Sequence, residues 1–333
     1  MKIIVPMAGA GKRMRPHTLT IPKPLIPVAG KPIVQRLVED IITVCSEKVE
    51  EIVYVVGDFG KEVEENLIRI AGDLGATGTI CYQREPLGTA HAVLCAKDAL
   101  KGKAVVAFAD TLFRTDFKID ESQDGVIWVK KIEDPRQFGV VKVNDRNIIT
   151  DFVEKPQTFV SDLAIIGIYY FRDAVMLCRE IEYLIQNNIR EKGEYQLTNA
   201  LENMKRKGVK FIPGTVLEWL DCGNKDATVH TNKRILEMHK ENHLVASSSK
   251  KENAVIINPC YIGDNAEIRN SVVGPYVSVG DNSKIINSVV RNSIIQTNTV
   301  IDSANIDNSM VGNFVEYKGE QNELSIGDFS THF

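Results

Sequence analysis

Two fixed cations ten positions apart, Arg13 and Lys23, mark the first place where this chain could do chemistry. They stand in Gly9-Ala10-Gly11-Lys12-Arg13-Met14-Arg15-Pro16 and Ile21-Pro22-Lys23-Pro24, just after the apolar run Ile3-Ile4-Val5. That run predicts a buried strand, and a glycine-rich turn after a strand exposes N–H groups that can cradle phosphate oxygens. With two cations beside it, such a turn suits a polyanion carrying several phosphates. It is not a Walker A loop, because no Gly-Lys-Ser/Thr closes it. Nor is it a dinucleotide fingerprint, because Pro16 and the prolines after it keep a helix from starting behind the glycines.

A second stretch, Gln83-Arg84-Glu85-Pro86-Leu87-Gly88-Thr89-Ala90-His91-Ala92, falls between a predicted strand and a predicted helix. A uracil or thymine imide offers one N–H flanked by two carbonyls, and the amide of Gln83 has both a donor and an acceptor to meet that edge. Gly88 lets the backbone come close to a base and adds its own N–H. His91 reads as structural. A third signal is the strand Val105–Ala109 running into Asp110, where a carboxylate is costly unless something satisfies it. A fourth is Asp221 in Glu218-Trp219-Leu220-Asp221-Cys222-Gly223. Two well-separated carboxylates suit Mg²⁺, which keeps several waters and bridges phosphates.

The pattern Gly-x-Gly-x-Arg-Met-x-Pro, with Lys-Pro ten residues after the arginine, resembles the signature of the sugar-1-phosphate nucleotidyltransferases, the nucleoside-diphosphate-sugar pyrophosphorylases. Lys12 stands where the family usually has threonine. The resemblance is strongest to glucose-1-phosphate thymidylyltransferase-like members that carry a C-terminal left-handed β-helix. It implies that Ala8, Gly9, Gly11, Lys12, Arg13, Gln83, Gly88 and Thr89 bind the nucleotide, and that Asp110 and Asp221 hold the metal. Ala109 and Asn224 replace the family's usual glycine and threonine beside those two aspartates. Phe152-Val153-Glu154-Lys155-Pro156 resembles the family's sugar-phosphate clamp. Glu154 would accept from sugar hydroxyls, Lys155 would neutralise the sugar phosphate, and Gly139 and Gly167 would lie along the sugar. Glu194-Tyr195-Gln196-Leu197-Thr198 also matches a family segment. The implied reaction joins a sugar 1-phosphate to a nucleoside triphosphate and releases pyrophosphate, with Arg13, Lys23, Asp110 and Lys155 as the catalytic set. The Gln83 position favours dTTP or UTP; guanine-selective relatives more often have an acidic residue there. Glucose 1-phosphate is the sugar donor that family frequency suggests.

The elements that must position these residues form an α/β fold. Short apolar runs alternate with amphipathic stretches over the first half, which predicts a Rossmann-like, mostly parallel sheet with ligands at the carboxyl edges of its strands. Strand-like texture from Gly125 predicts an extension of that sheet that walls the sugar. Helices are expected at 61–71, 89–100, 174–187, 196–206 and 226–240. Beyond a linker at 244–252, aliphatic residues recur six apart: Ile256, Ile262, Ile268; Val273, Val279, Ile285; Ile294, Val300, Ile306. Asn-Ser recurs between them. This predicts a left-handed parallel β-helix over 253–316, following a catalytic domain at 1–243, with a tail or cap at 317–333.

Composition bounds the rest. The 333 residues carry a net charge of -4, which argues against a broad nucleic-acid surface. The six cysteines are scattered without a Cys-x-x-Cys pair, as in a reducing compartment. No apolar stretch reaches membrane length, so a cytoplasmic protein without membrane or nucleic-acid partners is expected. The flat faces and open ends of a β-helix favour a homo-oligomer. Three other readings are a hexapeptide-repeat acyltransferase, a non-catalytic regulatory subunit, and a cytidylyltransferase acting on a non-sugar phosphate such as phosphocholine, against which the Glu154-Lys155-Pro156 clamp and the β-helix argue. The first lacks a histidine between His243 and His332, and the second would tend to lose phosphate or metal groups that are all present here.

Overall fold

Three short apolar runs, β1 (Lys2–Pro6), β2 (Glu51–Val56) and β4 (Ala104–Ala107), lie parallel inside a nine-stranded sheet, with the more polar β3 (Thr77–Tyr82) parallel to β2 at its edge. The structure, a computed structural model, describes residues 1–242, 244–320 and 325–326. Ile3, Ile4 and Val5 are fully buried, as are Ile52 through Val56 and Ala104 through Ala107. Near-continuous apolar runs of this kind belong to strands covered on both faces. The strands are spaced by α1 (Ile33–Val44), α2 (Lys61–Asp73) and the short α3 (Thr89–Leu94). The helix expected over 89–100 ends early, and a separate 3₁₀ turn at Lys97–Ala99 follows it.

From β4 the sheet continues antiparallel. β5 (Thr111–Arg114) leaves the main sheet, while β6 (Gly125–Lys131), β7 (Gly139–Val143), β8 (Ile149–Glu154) and β9 (Leu163–Phe171) extend it. The order is β8-β7-β9-β4-β1-β2-β3, with β6 also paired to β9. Helices α4 (Ala174–Gln186) and α5 (Leu197–Arg206) follow. β10 (Phe211–Thr215) then runs parallel to β6, and β11 (Glu218–Asp221) pairs antiparallel with β5. These elements form one compact unit, Met1–Ile26 with Pro32–Gly223.

The second unit comprises Pro27–Lys31 and the chain from Asn224 onward, so it begins with helix α6 (Lys225–Met238), ahead of the expected boundary at 243. The segment expected as a linker carries a strand at Lys250–Glu252, which is the first rung of a parallel sheet. Three such sheets, of five, four and four strands, stack into a three-sided parallel solenoid, consistent with a left-handed β-helix. Tyr317 and Lys318 still belong to its last strand. Most of the tail beyond them lies outside the described residues. Stacked partners sit 17 residues apart in the early coils and 16 in the later ones. The inward aliphatic columns are Ile256/Val273/Val290/Ile306, Ile262/Val279/Ile295/Val311 and Ile268/Ile285/Ile301. Ile295 and Ile301, rather than the expected Ile294 and Val300, therefore continue the columns.

The recurring Asn-Ser pairs explain the corners. Asn253, Asn270 and Asn287 adopt positive φ, a conformation asparagine tolerates better than most residues. Their side chains bond in a ladder, at 3.0 Å and 3.2 Å. The following serines turn inward, and the hydroxyls of Ser271 and Ser288 accept the N–H of Ser288 and Ala304, each one coil later, at 3.0 Å. A buried polar node holds α6 to the solenoid. Asn232 Oδ1 accepts from the N–H of Ala29 (2.9 Å) and the hydroxyl of Ser278 (2.7 Å), while its Nδ2 donates to the Tyr276 carbonyl (3.3 Å).

No helix among the described residues is long and apolar enough to cross a membrane. Removing the amide in Asn232→Ala strands two buried donors, at roughly 1–3 kcal/mol each. Hydrogen exchange on the full chain should show faster exchange in the coils around Ser278 in this variant, with wild-type protection kept in β1 to β4.

Candidate active site

Three loops meet at the carboxyl ends of β1, β3 and β4 and line a cleft of about 390 Å³. The first is the glycine-rich turn. After β1 the chain makes 3₁₀ turns rather than a helix, at Lys12–Met14, His17–Leu19 and Lys23–Leu25. Gly11 takes φ +58°, and a Cβ there would lie 2.9 Å from Thr18 Cγ2 and 3.1 Å from Lys23 Cβ. The Thr18 hydroxyl donates to the Gly11 carbonyl at 2.9 Å. Gly11 is thus the contact that folds Lys23 back against the turn. Gly9 differs, because a Cβ there would meet no protein atom within 4 Å. Its bareness keeps the cleft clear. Ala8, Gly9, Gly11, Lys12, Arg13 and Lys23 all line the cleft.

The second loop runs from β3 into α3. Gln83 Nε2 donates to the Gly88 carbonyl at 3.2 Å and lies 3.1 Å from His91 Nδ1. Gly88 takes φ +114°, and a Cβ there would stand 2.6 Å and 2.7 Å from the backbone O and N of Tyr195. The segment at Tyr195 is clipped to this loop by Tyr195 N–H to Leu87 O and Ala90 N–H to Tyr195 O, both 2.9 Å. The Thr89 hydroxyl accepts from Leu197 N–H at 2.9 Å and donates to Gln196 Oε1 at 3.3 Å. Thr89 therefore offers the cleft its backbone and methyl group rather than a free hydroxyl. Glu194 also lines the cleft. Sequence reasoning noted its motif without a role; the signal is its attachment to the Gly88 turn, which is a tertiary fact.

The third element brings the carboxylates together. Asp221 stands opposite Thr111 in the β5–β11 ladder, and Cys222 N–H donates to the Asp110 carbonyl at 3.0 Å. Lys23 Nζ forms an ion pair with Asp110 Oδ2 at 2.9 Å. Gly223 N–H donates to Asp221 Oδ1 at 2.9 Å. Burial pushes the Asp221 carboxyl up from its ordinary pKa, the Asp110 charge adds to this, and Lys23, the Gly223 N–H and Arg13 oppose it. A buried carboxylate whose charge is opposed by a second one is a place where a divalent cation is favourable. Among the described residues no group of three or more His, Cys, Asp or Glu gathers as a metal cage. A hard cation that keeps waters and takes its other oxygens from a ligand fits this two-carboxylate donor set.

The clamp residues form a neighbouring cluster. Gly139 pairs with Glu154 across β7 and β8, and a Cβ on Gly139 would lie 3.3 Å from Glu154 Oε2. Glu154 accepts from the Thr198 hydroxyl at 3.2 Å and lies 3.5 Å from Lys155 Nζ. Lys155 has φ +41°, uncommon for a residue with a side chain. Lys192, unmarked in the sequence, donates to the Lys155 carbonyl at 3.2 Å. Gly167 sits at φ +85° in β9 and accepts from Phe108 N–H at 3.0 Å. Phe108 lines the cleft and packs edge-on against Tyr169. Burial raises the Tyr169 hydroxyl's pKa, and the charges of both Glu154 and Asp110 add to it. Tyr169 thus feels both clusters, although Gly139, Glu154, Lys155 and Gly167 do not line the cleft itself.

Several known proteins resemble this chain. The nucleotidyl transferase family model matches residues 2–238. A low-salt glycan biosynthesis nucleotidyltransferase, Agl11 of Haloferax volcanii, is 32% identical over 365 residues, covering 99% of each chain. A glucose-1-phosphate thymidylyltransferase of Streptomyces antibioticus is 31% identical, covering 95% of this chain and 93% of its own. Among solved structures, a UDP-glucose pyrophosphorylase from Acinetobacter baumanii shares the fold, with a TM-score of 0.58 and 22% identity over 72% of this chain and 94% of that one. Another UDP-glucose pyrophosphorylase, complexed with UDP-glucose, gives 0.59 and 23% over 71% and 98%.

The two glycines of the cleft should respond differently to alanine. Gly9→Ala should keep the wild-type melting temperature yet weaken triphosphate binding, since its Cβ would meet only ligand space. Gly88→Ala should lose both stability and binding, because backbone cannot yield and positive φ adds roughly 1–3 kcal/mol of strain. Thermal unfolding and calorimetric titration of the two variants check this contrast.

Proposed function

From the premise that the chain belongs to the nucleotidyl transferase family, we propose that it joins a sugar 1-phosphate to a nucleoside triphosphate, giving a nucleoside-diphosphate sugar and pyrophosphate. The preferred pair is dTTP with glucose 1-phosphate. The observation that carries the reading is the single cleft in which Arg13, Lys23 and Asp110 lie with Gln83 and Gly88. Phosphate-binding and base-reading groups then face one molecule. The Streptomyces antibioticus relative, a glucose-1-phosphate thymidylyltransferase, supports the choice of substrates. The alternative is a uridylyltransferase or a mannose-1-phosphate guanylyltransferase of the same fold.

In this reading an oxygen of the sugar phosphate attacks the α-phosphorus in line. A new P–O bond forms as the bond to the departing pyrophosphate breaks. The nucleophile is already an anion at neutral pH, so no general base is required. What the chain supplies is position and charge. Arg13 and Lys23 offset charge on the α-phosphate and on pyrophosphate, and Lys12 adds a third cation to the same turn. Gln83 and Gly88 hold the base. Glu154 and Gly139 orient sugar hydroxyls, Gly167 lies beneath the sugar, and Lys155 brings the second anion towards the first. Asp110 and Asp221 would hold Mg²⁺. When bound, that ion supplies charge neutralisation at the phosphates. The flat solenoid faces of the second unit suit assembly into a homo-oligomer.

Arg13→Ala should lower kcat at least ~100-fold, as expected for loss of a preorganised charge-stabilising group. Near-normal turnover would refute its role. Pyrophosphate release across dTTP, UTP, GTP, CTP and ATP against glucose, mannose, galactose and N-acetylglucosamine 1-phosphates tests the reading as a whole. Activity centred on dTTP or UTP with glucose 1-phosphate supports it. Release only with GTP and mannose 1-phosphate would keep the chemistry and overturn the base assignment.

A further inference from the structure

We infer that His91 is a positioning residue for Gln83 and that it makes the cleft select bases presenting a ring N–H over bases presenting a bare ring nitrogen. The inference rests on the proposed reading of the cleft as a nucleoside triphosphate site. It begins from the Gly88 carbonyl, which can only accept. That group lies 3.2 Å from the terminal nitrogen of Gln83, so the amide must turn its NH₂ towards it. An NH₂ has two hydrogens, and the second points to His91 Nδ1 at 3.1 Å. For that contact to be a hydrogen bond, Nδ1 must be the unprotonated acceptor, and His91 must be the neutral tautomer with its proton on Nε2. Partial burial holds the ring's pKa below its ordinary value, with Glu85 opposing, in keeping with a neutral ring.

The consequence falls on the ligand. With both amide hydrogens engaged inside the protein, Gln83 presents only its Oε1, an acceptor. An acceptor pairs with the N3–H of uracil or thymine and the N1–H of guanine. It meets the lone pair of cytosine N3 or adenine N1 with repulsion. Without the lock, a glutamine amide can rotate by half a turn and offer a donor to cytosine at little cost. His91, together with the Gly88 carbonyl, removes that option. The residue therefore acts through Gln83 and needs no contact with the base.

The test compares UTP with CTP, which differ at N3 and at the substituent on C4. Full-length wild type, His91→Leu and His91→Asn would be titrated with each nucleotide in the presence of Mg²⁺, and kcat would be measured at saturating UTP and glucose 1-phosphate. Leucine fills the space without an acceptor, whereas the asparagine carbonyl can place an acceptor where Nδ1 stood. His91→Leu should weaken UTP binding about five- to tenfold, the effect of one neutral hydrogen bond, and shrink the UTP-to-CTP affinity ratio. Saturated kcat should stay within about twofold, because the bond acts on binding of ground and transition states alike. His91→Asn should restore the ratio. A His91→Leu protein with the wild-type ratio would overturn the inference, as would a His91→Asn protein impaired to the same degree. Wild-type protein that binds neither nucleotide would overturn the proposed function itself, and the inference with it.

Discussion

Two carboxylates held close to each other, with cations placed to offset them, are the constraint on which the rest of this molecule depends. Asp110 and Asp221 come from strand ends 111 residues apart in sequence, yet the β5–β11 ladder and the bond from Cys222 N–H to the Asp110 carbonyl set them side by side. Burial of Asp221 makes this arrangement costly. Lys23 relieves it on one side at 2.9 Å, and the Gly223 N–H relieves it on the other. A site built in this way is poised for more positive charge, and the proposed metal–triphosphate complex brings both the cation it needs and the anion that Lys12, Arg13 and Lys23 need.

The fold makes the arrangement possible by ending several strands at one edge. β1 delivers the glycine-rich turn, β3 the Gln83 loop and β4 the first carboxylate. Two of these loops are then fastened by a contact that only a bare backbone permits: Gly11 against Thr18 and Lys23, and Gly88 against Tyr195. The antiparallel extension supplies the second cluster, where Glu154, Thr198 and Gly139 meet. Tyr169, buried in β9, senses Glu154 and Asp110 together. Positioning therefore resides in strand ends and glycine contacts, as suits the proposed reaction, in which the protein contributes geometry and electrostatics rather than proton transfer.

Much of this was legible in the sequence because the relevant residues are local in the chain. A strand, two glycines, an arginine and a proline-rich run read directly as a turn without a following helix, and the chain there does form 3₁₀ segments. The parallel core followed from its apolar runs. Less legible were features set by tertiary contact. Helix α1 is absent from the sequence reading, since many of its core positions are β-branched and dilute the helical signal. Glu194 and Lys192 reach their places only through the clip at Tyr195 and the turn at Lys155. The six-residue period in the solenoid was visible, but coils of 17 and 16 residues shift it, so the inward columns pass through Ile295 and Ile301. The membership of α6 in the second unit, through Asn232, has no sequence signal beyond a polar residue in a helix.

The most direct test of the account is the affinity for dTTP of wild type and Asp110→Asn, each titrated with Mg²⁺ and again in a chelator. If the paired carboxylates exist to hold a cation for the triphosphate, the wild-type protein binds dTTP weakly without metal and much more tightly with it. The variant, relieved of one negative charge, should bind metal-free dTTP better than wild type and lose most of the gain on adding Mg²⁺. An equal Mg²⁺ enhancement in both proteins would contradict the account.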